Sequence, residues 1–252
     1  MTTADDFWQA LPLGPGVQLL THDANGVGAL NKPAGVLSHP NEAKDEPRSL
    51  LTCRYHREGE CFSWRAAAGP ERRLWLLNRL DGATSGVILV AANAELARAI
   101  KEQFAKKKIH KTYQALVFGK PPEKTQMWRD LLAVQKTGGV VRTSATRGHV
   151  PANTQMLFLK SAQGAFSTSL LRLEPHTGRS HQLRVQCAKR HLPIVGDQTY
   201  GDFALNRAFA KVTGLKRLFL HSLETGFDYE LNGKKWKFHA AAPLPEEFAC
   251  TY

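Results

Sequence analysis

The stretch that decides the fold is residues 74–92, LWLLNRLDGATSGVILVAA. Two apolar, β-leaning segments, 74–77 and 87–90, flank a short polar loop with one carboxylate, Asp81. Strand alternation predicts Asn78 and Leu80 on one face and Arg79 and Asp81 on the other, so a cation and a carboxylate leave together. The loop Asp81-Gly82-Ala83-Thr84-Ser85-Gly86 has two glycines, which permit a sharp turn or close backbone approach to a ligand. Taken alone, an Asp-Gly turn with a solvated carboxylate is the commoner occurrence. The rest of the chain decides otherwise.

Working outward, Asn93 is a good helix N-cap with Glu95 in the first turn. Leu96, Ile100 and Phe104 recur every four residues, which predicts an amphipathic helix over 94–107 packed on a sheet. Its terminal Lys106-Lys107-Lys108 suits either a helix C-terminus or phosphate. Upstream, 17–22 and 28–31 read as short strands leading into the turn Asn31-Lys32-Pro33-Ala34-Gly35. Residues 1–16 read as a loose arm, 50–56 as a helical turn, and 58–71 as a polar insertion.

Downstream, 111–119 alternates as a strand, and 120–153 is a Pro/Gly/charge-rich excursion with room for short strands, including 140–143. Residues 154–159 and 167–173 are strands joined by a turn at Gln163-Gly164. Ser180 is the expected cap of a helix over 180–191, in which His181 and Arg184 share a face. Residues 218–222 and 225–229 are strands, and Asn232-Gly233 turns the chain into 234–240. That last strand interleaves Lys234, Lys235 and Lys237 with Trp236 and Phe238, a pattern that fits an RNA contact or, better, a guarded sheet edge.

The 252 residues carry 34 Lys and Arg against 22 Asp and Glu, a net charge of +12 that favours a polyanionic partner, nucleic acid before membrane. No window approaches roughly 18 uninterrupted apolar residues, so no membrane span is expected. The acidic start MTTADDFW lacks a secretory pattern, which points to the cytoplasm. The four cysteines, Cys53, Cys61, Cys187 and Cys250, are too scattered for a disulfide framework. Cys53, His56 and Cys61 lack a fourth nearby ligand for zinc, so no metal is expected.

Several segments together resemble the RluA-type RNA pseudouridine synthases, from about Leu30 to Phe248. They are Asn31-Lys32-Pro33-Ala34-Gly35, the signature loop from Asn78 to Gly86, and Lys111-Thr112-Tyr113-Gln114-Ala115. Thr177-Gly178-Arg179-Ser180-His181-Gln182-Leu183-Arg184 follows, then Pro193-Ile194-Val195-Gly196-Asp197, Tyr200-Gly201, Leu220-His221-Ser222 and Pro243-Leu244-Pro245. Motifs in this order are far more specific than any one of them.

The resemblance implies an α+β pseudouridine synthase catalytic fold: a largely antiparallel, bent mixed sheet with a few flanking helices and a basic RNA-binding cleft. It implies isomerisation of uridine to its C-glycoside in structured tRNA or rRNA, with no cofactor and no metal. Asp81 is similar to the catalytic carboxylate that starts glycosidic cleavage, whether by attacking the sugar, attacking the base or removing a sugar proton. Arg184 is similar to the arginine that keeps it ionised. Tyr113 resembles the ring that stacks on the target uracil, with Leu183 as a further substrate-binding residue. Arg79 resembles the arginine that enters the helical stack when the uridine flips out. Arg179 and His181 are expected to meet phosphate or brace their loop.

Asn78 stands where this family usually has histidine; it can hydrogen-bond but not titrate near neutrality, which fits a supporting role. The expected organisation is an N-terminal arm over 1–24 and a catalytic domain over 25–252, without an S4-type domain, acting as a monomer with no obligate protein partner. The competing reading from another class is an inactive RNA-binding or chaperone protein on the same scaffold, for which Asn78 is the only support. A phosphate-loop enzyme fails because no Gly-Lys-Ser/Thr follows the Gly-Ala-Thr-Ser-Gly run.

Overall fold

The computed structural model describes residues 4–65, 69–106, 108–137, 140–144 and 148–248. Cys250 and Lys107 therefore lie outside the described residues. The chain splits into two compact units: Met1–Ile109 with Glu224–Pro243, and His110–Leu223 with Leu244–Tyr252.

The first unit runs α1 (Ala4–Gln9), β1 (Gln18–His22), β2 (Val27–Lys32), a 3-10 turn (Ala43–Arg48), β3 (Arg54–His56), β4 (Cys61–Arg65), β5 (Glu71–Leu76), β6 (Ser85–Ala91) and α2 (Ala94–Ala105). Strand β6 is buried along its whole length, because its Val-Ile-Leu-Val run feeds apolar side chains to both faces. It pairs antiparallel with β2 and with β5. On one face Val87, Leu89 and Ala91 pack with Leu96, Ala97 and Ile100 of α2. On the other, Ile88 and Val90 pack with Trp8, Leu50, Leu51, Phe62 and Leu74. Helix α2 starts as predicted, with the Asn93 side chain accepting from the Leu96 amide at 2.8 Å.

Three expectations fail in this unit. The supposed loose arm contains α1, whose Trp8 is only 3% exposed. It joins the apolar cluster that covers Ile88 and Val90 of β6, with Trp8 lying over Gly28 of β2. The supposed polar insertion contains β4, because Cys61 and Phe62 are buried between β3 and β5 partners. The helical turn expected at 50–56 lies earlier, at Ala43–Arg48.

The second unit contains β7 (Ile109–Phe118), β8 (Thr125–Thr137), β9 (Val140–Ser144), β10 (Val150–Gln163), β11 (Ser167–Pro175), α3 (Gln182–Lys189) and α4 (Phe203–Thr213). Its strands lie in the order β7-β11-β10-β8-β9, each neighbouring pair antiparallel. The chain then enters β12 (Leu220–Leu231), which begins in the second unit and ends in the first, and returns along β13 (Lys234–Ala241). The turn between them is the predicted Asn232-Gly233, with φ of 52° and 71°. Lys235 and Lys237 stand opposite Glu230 and Asp228 across that pair, which favours a structural role for these lysines.

Helix α3 is shorter than expected and is not capped by Ser180. His181 occupies the N-cap in the left-handed region, φ 54°, and the helix starts at Gln182. Gln182 reaches back instead: its Oε1 accepts from the Thr177 hydroxyl at 2.8 Å and the Arg179 amide at 3.1 Å. Antiparallel strand pairs with four α-helices among the described residues make the fold α+β. None of those helices is long and apolar enough to cross a membrane.

Candidate active site

In the first unit, the Asp81 loop is held from below by a lysine. Lys32 is fully buried, and its ammonium donates to the carbonyls of Val36 at 2.6 Å, Pro33 at 3.0 Å and Gly82 at 3.1 Å. The Gly35 amide donates to the same Gly82 carbonyl at 2.8 Å, from a residue at φ 90° that favours glycine. Ser38 completes the brace, donating to the Leu80 carbonyl and accepting from its amide. The turn then closes by Thr84 N–H to Asp81 C=O at 3.0 Å, with Asp81 half-buried.

Asn78 is part of this frame. β5 ends at Leu76, yet the ladder to β6 continues: Leu77 N–H donates to Leu89 C=O, and Leu89 N–H donates to Asn78 Oδ1 at 2.7 Å. The side chain replaces a backbone carbonyl, as its supporting role requires. Arg79 is exposed, with its guanidinium 4.0 Å from Glu60. The Lys101 ammonium, 2.6 Å from Glu60, holds that carboxyl below its ordinary range despite partial burial.

The second unit carries the remaining candidates. Tyr113 lies on β7 opposite Leu173 of β11, half-buried against the unit's core. Leu183 is in that core, only 7% exposed. Arg184, also 7% exposed, is gripped by Asp197 through Nε and Nη2, both at 2.8 Å. Burial pushes the Asp197 carboxyl up, but Arg184 and the amides of Tyr200 and Thr199 outweigh it and hold it below the carboxylate range. The Arg184 guanidinium also lies 5.2 Å from the Tyr200 ring centre, and His181 Nδ1 is 2.8 Å from the Tyr200 hydroxyl. Arg179 donates to the Pro151 carbonyl at 3.3 Å.

A buried polar chain fastens α3 to the strands. Thr154 donates to Gln186 at 2.6 Å, and Gln186 donates to Asp130 at 2.8 Å. Asp130 also binds Lys189 at 2.7 Å and Arg190 at 2.9 Å, and Arg190 stacks over Trp128 at 4.6 Å. Sequence reasoning passed over Lys32, Asp197 and Tyr200 as site residues. Each sits in a quoted motif, but only packing shows what it holds.

The fold is that of solved pseudouridylate synthase domains. The chain resembles the solved human RNA pseudouridylate synthase domain containing 1, with a TM-score of 0.67 and 23% identity over 94% of this chain and 90% of that one. A family model described as RNA pseudouridylate synthase matches residues 27–189, and the chain belongs to that family, in its RluA-type branch. The protein is thus an isomerase acting on uridine in RNA. It is 32% identical over 201 residues to a tRNA pseudouridine synthase C of Haemophilus ducreyi, covering 77% of this chain and 78% of that protein. It is 30% identical over 222 residues to a ribosomal large subunit pseudouridine synthase C of Vibrio cholerae, covering 88% of this chain and 65% of that protein.

Proposed function

We propose that the substrate is a uridine in a tRNA stem or loop, and that Asp81 is the carboxylate that initiates its isomerisation. The observation that supports the tRNA reading is the naming of its relatives: proteins of Haemophilus ducreyi, Pasteurella multocida and Vibrio cholerae named tRNA pseudouridine synthase C are 32–34% identical to this chain, against 30% for the ribosomal large subunit enzyme of Vibrio cholerae. In this reading Arg184, held by Asp197, is a substrate-binding residue. Tyr113 stacks on the flipped uracil, Leu183 backs it, and Arg79 fills the gap in the stack. Arg179 and His181 brace the turn before α3; their bonds to Pro151 and Tyr200 support this over phosphate contact. Residues 25–252 act as the catalytic domain, in the cytoplasm and as a monomer.

The inactive-scaffold reading has lost its one support, since Asn78 spends its side-chain oxygen on Leu89. The relatives' names favour an active enzyme. The test is a pseudouridine map of total RNA from cells with and without this gene. Loss of one or a few tRNA positions is expected. Loss confined to ribosomal RNA would replace tRNA with the second substrate class, and an unchanged map would overturn the reading.

A further inference from the structure

Lys111 stands two residues before Tyr113 on β7, so both side chains leave the same face of the strand. Its ammonium lies against the turn between β11 and α3, 3.5 Å from where a Cβ on Gly178 would be. Lys111 is half-buried, and burial depresses its pKa. Among the described residues no carboxylate lies in ion-pair reach of it. Charges taken out of water are normally paired, as Arg184 is with Asp197 and Lys101 with Glu60. Lys111 breaks that pattern beside the tyrosine assigned to the uracil.

We propose that Lys111 is a substrate-positioning residue whose missing counter-ion is a backbone phosphate of the RNA, bound at the Gly178 turn next to the flipped nucleotide. The proposal rests on the pseudouridine synthase reading and adds a contact to it. An ammonium suits this task as a compact point charge on a flexible stem. Two features follow. The contact releases a counter-ion, so it adds to the salt dependence of RNA binding. In the free protein the unpaired charge is a cost, so replacing it with an apolar group of similar length does not destabilise the fold.

The experiment compares Lys111→Met and Lys111→Arg with the wild type, using one unmodified tRNA transcript as the probe. Binding is measured between about 50 and 200 mM salt, the range over which phosphate contacts are read, in an Asp81→Asn background so that turnover plays no part. Expected are about tenfold weaker binding for Lys111→Met, a salt slope reduced by about one unit, and recovery of most of both by Lys111→Arg. In the active background KM rises more than kcat falls, and the melting temperature of Lys111→Met is no lower than that of the wild type. Unchanged affinity and salt slope would overturn the proposal, as would a marked loss of thermal stability. Failure of the parent reading shows elsewhere, as absence of pseudouridine from the wild-type reaction.

Discussion

The ammonium of Lys32 donates to the carbonyl of Gly82, the residue after Asp81, from a position with no exposure to solvent. The same ammonium binds Pro33 and Val36, so one buried cation ties the turn after β2 to the loop that carries the carboxylate.

Lys32→Met removes that tie and takes a donor from the carbonyls of Pro33, Val36 and Gly82, of which Gly82 keeps the Gly35 amide. The expected cost is about 2–3 kcal/mol in chemical denaturation, the scale for losing charged hydrogen bonds in a buried place. Turnover per folded molecule should also fall, because Asp81 loses its backbone support. A variant as stable and active as the wild type would show that the tie is dispensable.

Asp197 aims Arg184, and its pH behaviour follows from its depressed pKa. A carboxyl lowered in the folded state contributes stability that is complete above the unfolded value, about 3.9, and is lost as pH falls through the folded value. Asp197→Asn should cost about 3 kcal/mol at neutral pH, because Arg184 keeps its charge and loses a buried partner. It should also flatten the decline of urea midpoints below about pH 4. Equal midpoints for the two proteins from neutral pH down to that range would contradict this.

Arg79→Ala tests base flipping. The guanidinium is exposed, so the fold should be unaffected. Activity should fall on the order of a hundredfold on a uridine within a stem, since unstacking costs a few kcal/mol, and much less on the same uridine in a single strand. Comparable losses on both substrates would point to a different role.

Much of the first unit was legible because its signals are local. Asn93 caps α2, Asn232-Gly233 closes a hairpin, and the apolar run of β6 announces a strand buried on both faces. The segments misread needed long-range information. Trp8 reads as part of a loose polar arm until β6 is seen to need a cover, and Phe62 is a lone apolar residue until β3 and β5 flank it. Helix α4 did carry legible signals that went unread: Asp202 caps its start and Gly214, at φ 74°, ends it.

The candidate site divides in the same way. Asp81, Arg79, Tyr113 and Arg184 are visible because motifs carry them. Alternation set Asn78 on the face away from Asp81, and the local backbone differs from that expectation. Residues after Leu76 are no longer strand, and Asn78 is spent on the Leu89 amide rather than turned to a far face. Lys32 and Asp197 sit in motifs, but what each holds, Gly82 for one and Arg184 for the other, depends on folding that spacing alone does not give.

The most direct test is pseudouridine formation by purified Asp81→Asn on a tRNA that the wild type modifies. The substitution removes the charge and keeps the shape. The account predicts a fall in turnover on the order of a thousandfold or more, with melting temperature and RNA binding close to those of the wild type. A well-folded Asp81→Asn that forms product at an undiminished rate would contradict it.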